Sequence, residues 1–406
     1  MATRDPRKAV TSLRKRIRER ERDITDEDAE ALLTFSDQLD LMKSEYSDYR
    51  HLKLLRHCTR MAEATEQLAA AAHDRDAAEA VVRWINREYD NEETNRDYRS
   101  AIRVFAKRVR RLDESPESVA WIPTGTSSTY DPTPSERDLL LFEEDVKPMV
   151  DACRNTRDAA CIMLQFEAGL RGGELQSLTI GDIVDGEHSL AVHVNGKEGE
   201  RVVHLVVSVP YINQWLTDHP AGDDPDAPLW SHLSTPKAQS YTSYLSNFKE
   251  PAKRIDLSKD VTPTNFRRSN TRWLVLQGMS QSRIEDRQGR KRGSEATQRY
   301  MARFGEESNE RAYASMHGRD VEEDPDGDDH APLTCPRCDR ETPRDKDWCV
   351  WCHQALSPEA AERVEEVDEA MFESGVETDD PQVAEDLRAV NRRITAPVKH
   401  LMVDDE

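Results

Sequence analysis

The first 111 residues contain no glycine. Glycine is the residue that most readily takes the left-handed backbone of tight turns, so its absence favours long regular elements. Apolar residues recur there at three- and four-residue spacing in EDAEALLTFSDQLDLM, HLKLLRHCTRMAEATEQLAAAA, VVRWINREY and NRDYRSAIRVFAKRVRRL. That period belongs to helices with one buried face. Thr25 followed by Asp28 resembles a capping box at the start of one of them. Residues 1–111 therefore read as a bundle of four or five helices. Residues 112–135 hold four prolines and a Thr/Ser cluster, which reads as a linker.

Ser135 is expected to cap a new helix and open a second domain, residues 136–318, of mixed pattern. Helices are expected in ERDLLLFEEDVKPMVDAC and TRDAACIMLQFEAG. A β-hairpin follows, SLAVHVNG and ERVVHLVVSV around a turn at Lys197–Gly199. Helices resume at YINQWLTDH and continue to about residue 316. Residues 319–332 form an acidic spacer, 333–357 carry two CxxC pairs, and 358–406 form an acidic, partly helical tail. The fold class expected is mainly α with a small β-hairpin or sheet, an α+β arrangement.

The net charge of −22 argues against binding a polyanion. Its distribution weakens the objection. Thr264–Arg303 carries ten basic and three acidic residues, so a basic face is available. The chain has 43 arginines and only 14 lysines, a composition expected of a salt-loving cytoplasm. No run of 18 apolar residues is present, and the N-terminal MATRDPRKAVTSLRKRIRERERD lacks the apolar core of a secretory signal. The expected location is the cytoplasm, without a membrane span.

Cys335-Pro-Arg-Cys338 and Cys349-Val-Trp-Cys352 have the spacing of two zinc knuckles, ten residues apart. Four thiolates close a tetrahedral site and leave no open position, so the expected Zn2+ is structural. Trp348 and Trp351 either pack this small ribbon or stack on a partner, and His353 is not expected to be a ligand. The ribbon itself is expected to touch DNA or a partner subunit. Cys58, Cys153 and Cys161 stand alone and read as buried thiols.

Three segments carry chemistry. FEAGLRGGELQSLTIGDI puts Arg171 at a glycine-rich helix break, with Glu174 three residues on. TPTNFRRSNTRWLVLQGMS places Thr264, Arg267 and Arg268 at a helix start. IEDRQGRKRGSEATQRYMARFG contains Gly289, Arg290 and Tyr300. Arginines that clamp an anion bidentately, together with a hydroxyl nucleophile, are what metal-free attack on a phosphodiester needs. Each segment also has a plainer reading: a solvated arginine on a helical hairpin, or a tyrosine packing its ring.

The order and spacing of these segments resemble the tyrosine recombinases, or phage integrases, in a Xer-like, archaeal-type form with a C-terminal zinc ribbon. The likeness covers residues 45–315 or so. It implies a helical core-binding domain followed by the recombinase catalytic domain. It also implies that Arg171 and Arg267 bind the scissile phosphate, that Glu174 buttresses the first loop, and that Lys197 at the hairpin turn protonates the leaving 5′ oxygen. Tyr300 would be the nucleophile. Two histidines of the family pattern are replaced, by Thr264 and Arg268, and Arg290 stands where a histidine or tryptophan is usual. Tyr313 is an alternative nucleophile, but it lies 46 residues from Arg267 whereas Tyr300 lies 33 away, nearer the family spacing. The implied function is site-specific DNA recombination through a 3′-phosphotyrosyl intermediate, by a homo-tetramer on double-stranded DNA, without ATP or a catalytic metal. The alternatives are a catalytically degenerate DNA-binding protein on the same scaffold, and a zinc-ribbon adaptor in which the arginine boxes are coincidental.

Overall fold

The computed structural model describes residues 5–186, 189–196, 199–305 and 330–364, with residues 310, 313, 314, 316, 317, 366 and 367 besides. The chain divides into two compact units, Met1–Pro132 and Thr133–Glu406.

The first unit is helical throughout. Its five longer helices are α1 (Pro6–Arg18), α2 (Asp26–Leu41), α3 (Asp48–Thr65), α5 (Arg75–Glu88) and α6 (Glu92–Val109); the single turn α4 (Leu68–Ala71) lies between α3 and α5, and another, α7 (Glu117–Ala120), follows α6. Each longer helix starts at a capping side chain: Asp5, Thr25, Ser47, Asp74 or Asn91 accepts a backbone N–H. Such caps satisfy donors that the helix itself leaves unpaired. Leu32, Phe35, Leu55, Met61, Val81, Ile85, Ile102 and Phe105 meet in one fully buried core. Residues 117–122, read as part of the linker, belong to this unit. Val119 and Ile122 are fully buried in its core, and Arg103 donates to the Ile122 carbonyl at 3.1 Å. Two apolar side chains in a proline-flanked turn are enough to hold it against the bundle.

The second unit is built around α9 (Thr156–Ala168), in which every residue but the first and Ala159 is buried. A helix that is apolar on most sides needs neighbours on most sides. It packs against α8 (Lys147–Asp151), α11 (Val209–Asp218), α12 (Tyr241–Arg254) and α13 (Pro263–Leu276). The expected hairpin is present as β2 (Leu190–Gly196) and β3 (Gly199–Leu205), antiparallel, with Gly196 opposite Gly199. A third strand, β1 (Ile183–Asp185), joins the other edge of β2. A small ladder, β4 (Ser231–His232) with β5 (Thr235–Ala238), lies further on. Two helices close the fold, α14 (Gln281–Gln288) and α15 (Glu295–Phe304).

The segment 136–153 departs from the single helix expected. It is a 3-10 turn at Glu136–Asp138, an extended stretch, a π-turn at Phe142–Val146 and then α8. Ser135 precedes only that first turn, and its side chain makes no cap. Tertiary contacts outweigh local propensity here. Leu139 and Leu140 are buried, the Leu140 amide donates to Ser269 Oγ at 2.8 Å, and the Leu141 amide donates to Asp145 at 2.7 Å.

Glu167 ties α9 to the end of the sheet. Its buried carboxylate accepts the amides of Val206, Val207 and Ser208 at 2.7–3.1 Å and the Ser208 hydroxyl at 2.6 Å. Removing it strands two buried donors of Ser208, each costing about 1–3 kcal/mol, and two part-buried amides besides. Glu167→Ala is therefore expected to destabilise the second unit by about 3 kcal/mol or more, measured by denaturant unfolding. A loss well below 1 kcal/mol would show that the amides find other partners.

Candidate active site

α9 ends at Gly169, whose φ of +58° is a left-handed cap. A Cβ there would lie 2.3 Å from Asn270 Oδ1, so both the conformation and the packing require glycine. The turn that follows is held from the other side by Gln165, which donates to the carbonyls of Leu170 and Pro263, both at 2.8 Å. Arg171 then precedes α10 (Gly172–Gln176) in the position of an N-cap. Its guanidinium donates to Glu174 Oε1 at 2.7 Å and to the Gly289 carbonyl at 2.6 Å.

Arg267 lies on α13, one turn from its start. It is 9% exposed and donates to the Gly169 carbonyl at 2.8 Å. The first and second arginine segments thus share one turn of backbone. The third joins them through the α14 terminus. Arg290 donates to Gln288 Oε1 at 2.7 Å and to Thr271 Oγ1 at 3.2 Å. Gln288 in turn donates to Asn270 Oδ1 at 2.6 Å, and Asn270 to the Glu167 carbonyl at 3.0 Å. Gly289 adopts φ +59°, the left-handed cap that turns the chain toward Arg290.

Tyr300 sits on α15 with its side chain 4% exposed, among Leu139, Leu274, Val275 and Ile284. Arg290 lies close enough to Tyr300 to feel its charge: an ionised Tyr300 favours the Arg290 cation. Glu285 fixes the intervening turn. Its carboxylate accepts the amides of Gly293 at 3.1 Å and Ser294 at 2.9 Å, and its carbonyl accepts the Arg290 amide. Tyr313 is described as 66% exposed and packs its ring on His317 at 4.3 Å.

The electrostatics are those of an anion site. Burial first, then the charges of Arg290 and Arg171, push the Arg267 guanidinium down to about 8. Burial likewise lowers Arg290, and the Arg171 charge adds to it. Like charges gathered in a poorly solvated place repel, and an anion between them relieves the cost. Thr264 and Arg268, in contrast, are exposed on the first turns of α13. Lys197 lies outside the described residues, although its flanking strands are paired up to Gly196 and Gly199.

Several residues here carried no sequence motif. Arg201 of β3 donates to Glu174 Oε2 at 2.7 Å and to the Arg287 carbonyl at 3.0 Å. Gln288, Thr271 and Asn270, all fully buried, form the neutral bridge beneath Arg290. Polar residues interspersed with Phe266, Leu274, Val275 and Ile284 on the buried faces of α13 and α14 were the available signal.

At the other end of the unit, the four cysteine Sγ atoms lie within 4.8 Å of one another. Cys335 and Cys352 are 3.6 Å apart and Cys338 and Cys349 3.7 Å. Zinc–sulfur bonds of about 2.3 Å in a tetrahedron put sulfurs about 3.8 Å apart, so the cluster has the dimensions of a zinc site. Strands β6 (Leu333–Thr334) and β7 (Glu341–Thr342) frame it. Trp351 packs under Arg340 at 4.6 Å and donates to the Glu341 carbonyl, which makes it part of the ribbon. The ribbon packs on its own unit: Lys346 pairs with Asp151 at 2.5 Å.

Comparison with known proteins agrees with this geometry. Residues 140–307 match the phage integrase family. Transposase A from transposon Tn554 of Staphylococcus aureus is 36% identical over 74 residues, covering 16% of this chain and 20% of the transposase. The chain thus spans about a fifth of the length of the curated relatives it matches. Among solved structures, the Tn1549 transposon integrase in complex with transposon right end DNA superposes with a TM-score of 0.54 at 13% identity, over 71% of this chain and 99% of that one. The XerH site-specific recombinase bound to palindromic difH substrate gives 0.52 at 14% identity, over 78% and 98%. These two likenesses establish the fold.

The arginine cluster generates a test. For a base shifted downward, the folded state bears the cost below about 8 and sheds it as pH rises above that toward the ordinary arginine range. Neutral Arg267→Gln removes that cost and keeps a donor for Gly169, so in anion-poor buffer it should unfold no more readily than wild type. Sulfate should raise the melting temperature of wild type more than chloride of equal ionic strength, and this increment should shrink in Arg267→Gln. An equal sulfate effect in both proteins would mean that the cluster is not an anion site. Over residues 140–307, then, the chain is similar to the phage integrase family, and two solved structures, an integrase and a recombinase, share its fold.

Proposed function

We propose that the protein is a site-specific DNA recombinase that cuts and rejoins strands through a 3′-phosphotyrosyl link. The observation that carries this reading is the meeting of Arg171, Arg267 and Arg290, from three separate segments, beside the helix that bears Tyr300.

A phosphodiester becomes a crowded, pentacoordinate anion as it is attacked. Preorganised guanidiniums stabilise that charge without reorganising. Arg171, Arg267 and Arg290 take the non-bridging oxygens. The Tyr300 oxygen attacks phosphorus as its hydroxyl proton is released to solvent, and the bond to the 5′ oxygen breaks. Lys197, which falls in sequence between β2 and β3, gives its proton to that leaving oxygen. The phosphate ester is conserved as a tyrosyl ester, so no nucleotide is consumed. Attack by a 5′ hydroxyl from another strand reverses the step and releases Tyr300. Thr264 replaces a titrating histidine and contributes at most a hydrogen bond. The integrase and the recombinase of the same fold, both bound to DNA, support double-stranded DNA as substrate, and exchange of strands between two duplexes would call for four copies of the chain.

Cys335, Cys338, Cys349 and Cys352 would hold one Zn2+, which cross-links the ribbon and takes no part in strand cleavage. The arginine-rich, strongly acidic composition fits a host with a high-salt cytoplasm. In such a host counterion release adds little affinity, and recognition rests on base and shape contacts.

A nicked suicide duplex of the cognate site should trap a covalent adduct with wild type and with Tyr313→Phe, and none with Tyr300→Phe. An adduct lost only in Tyr313→Phe would move the nucleophile. Specific binding without any adduct would favour a non-catalytic DNA-binding protein, the reading that the replaced histidines motivate. Metal analysis of the purified chain should find one zinc per protein, abolished by Cys335→Ser with Cys338→Ser. Zinc-free protein with an intact ribbon would contradict that assignment.

A further inference from the structure

Glu174 creates a problem for the proposed chemistry. It orients Arg171 by accepting its amide at 3.0 Å and its guanidinium at 2.7 Å, but a carboxylate paired with an arginine also cancels the charge that should reach the phosphate. A second cation meets this carboxylate from the opposite side. Arg201, on β3 opposite Val194 of β2, has its side chain 12% exposed and donates to Glu174 Oε2 at 2.7 Å. Burial works against the Glu174 anion, yet hydrogen bonds from Arg201 and Arg171 hold its carboxyl below the usual range.

The space is made for this triad. A Cβ on Gly289 would lie 2.6 Å from Arg201 Nη1. A Cβ on Gly196 would lie 2.3 Å from Glu174 Oε1 and 2.9 Å from Arg201 Nη1. Two glycines on separate elements therefore open the slot in which guanidinium and carboxylate meet. Arg201 Nε also donates to the Arg287 carbonyl at 3.0 Å, two residues before Gly289, whose own carbonyl receives Arg171. Arg201 thus braces both groups that Arg171 touches.

We propose that Arg201 is a positioning residue: it shares Glu174 with Arg171, so that the carboxylate fixes Arg171 in place without neutralising the site. Two guanidiniums and one carboxylate leave one positive charge facing the phosphate. Without Arg201 the remaining pair is neutral. A lysine keeps the charge but lacks the planar fork that serves Glu174 and the Arg287 carbonyl together. This inference rests on the recombinase reading, and the experiment separates the two.

The chain is mixed with the nicked suicide duplex, and single-turnover cleavage and duplex affinity are measured separately. Wild type, Arg201→Gln, Arg201→Lys and the double variant Glu174→Gln/Arg201→Gln are compared, with folding followed by circular dichroism. No adduct from wild type would defeat the recombinase reading itself, before any variant is considered. With wild type active, Arg201→Gln should cleave about 100-fold more slowly, the scale of losing one preorganised charge partner, with duplex affinity little changed. Arg201→Lys should fall between. The double variant restores the net charge and should regain about tenfold over Arg201→Gln, as expected for directly coupled residues. If Arg201→Gln does not fold, a double variant that folds and cleaves still supports the proposal. Arg201→Gln cleaving like wild type, or a folded double variant no faster than the single one, would overturn it.

Discussion

Guanidinium groups gathered on backbone carbonyls and neutral side chains, with too few carboxylates to cancel them, are the condition on which the second unit is organised. Arg267 is held by the Gly169 carbonyl, Arg171 in part by that of Gly289, Arg201 in part by that of Arg287, and Arg290 by Gln288 and Thr271. A carbonyl satisfies an N–H donor but does not neutralise its charge. The arrangement fixes geometry and leaves positive charge for an incoming anion. Every one of those acceptors must be delivered to the right place, which is why the buried α9, its left-handed cap at Gly169 and the turn at Gly289 come together there.

The same condition explains the mixture of stable and costly features. Glu167 anchors the end of the sheet with four hydrogen bonds, and its backbone carbonyl receives Asn270 and Arg287. The stabilising network and the repelling cations are thus built on adjacent residues, and the packing of α9 offsets what the cluster costs. In the first unit the longer helices are capped by side chains in the usual way, and polar contacts such as Arg14 with Asp40 at 3.0 Å join oppositely charged helices α1 and α2.

Much of this was legible in the sequence because it was local. Helical periodicity without glycine gave four of the five longer helices of the first unit, α2, α3, α5 and α6. Alternation around Lys197–Gly199 gave the hairpin, and short motifs gave Arg171, Arg267, Arg290 and Tyr300. What was not legible depends on contacts between distant segments. Arg201 acquires its partner only through the register of β2 and β3 and the glycine slot beside it. Gln288 and Thr271 matter because α14 ends against α13. Leu139 and Leu140 leave the helical pattern because Ser269 and the α13–α15 core hold them extended, and Val119 with Ile122 turn an apparent linker into core. None of these is written in a window of a dozen residues.

The central claim is that an anion belongs between these arginines, and a crystal structure of the protein grown with inorganic phosphate tests it most directly. The account predicts a phosphate contacting the guanidiniums of Arg171, Arg267 and Arg290, with Glu174 still bridging Arg171 and Arg201. Phosphate bound elsewhere, with those three arginines engaged only by protein groups, would contradict it.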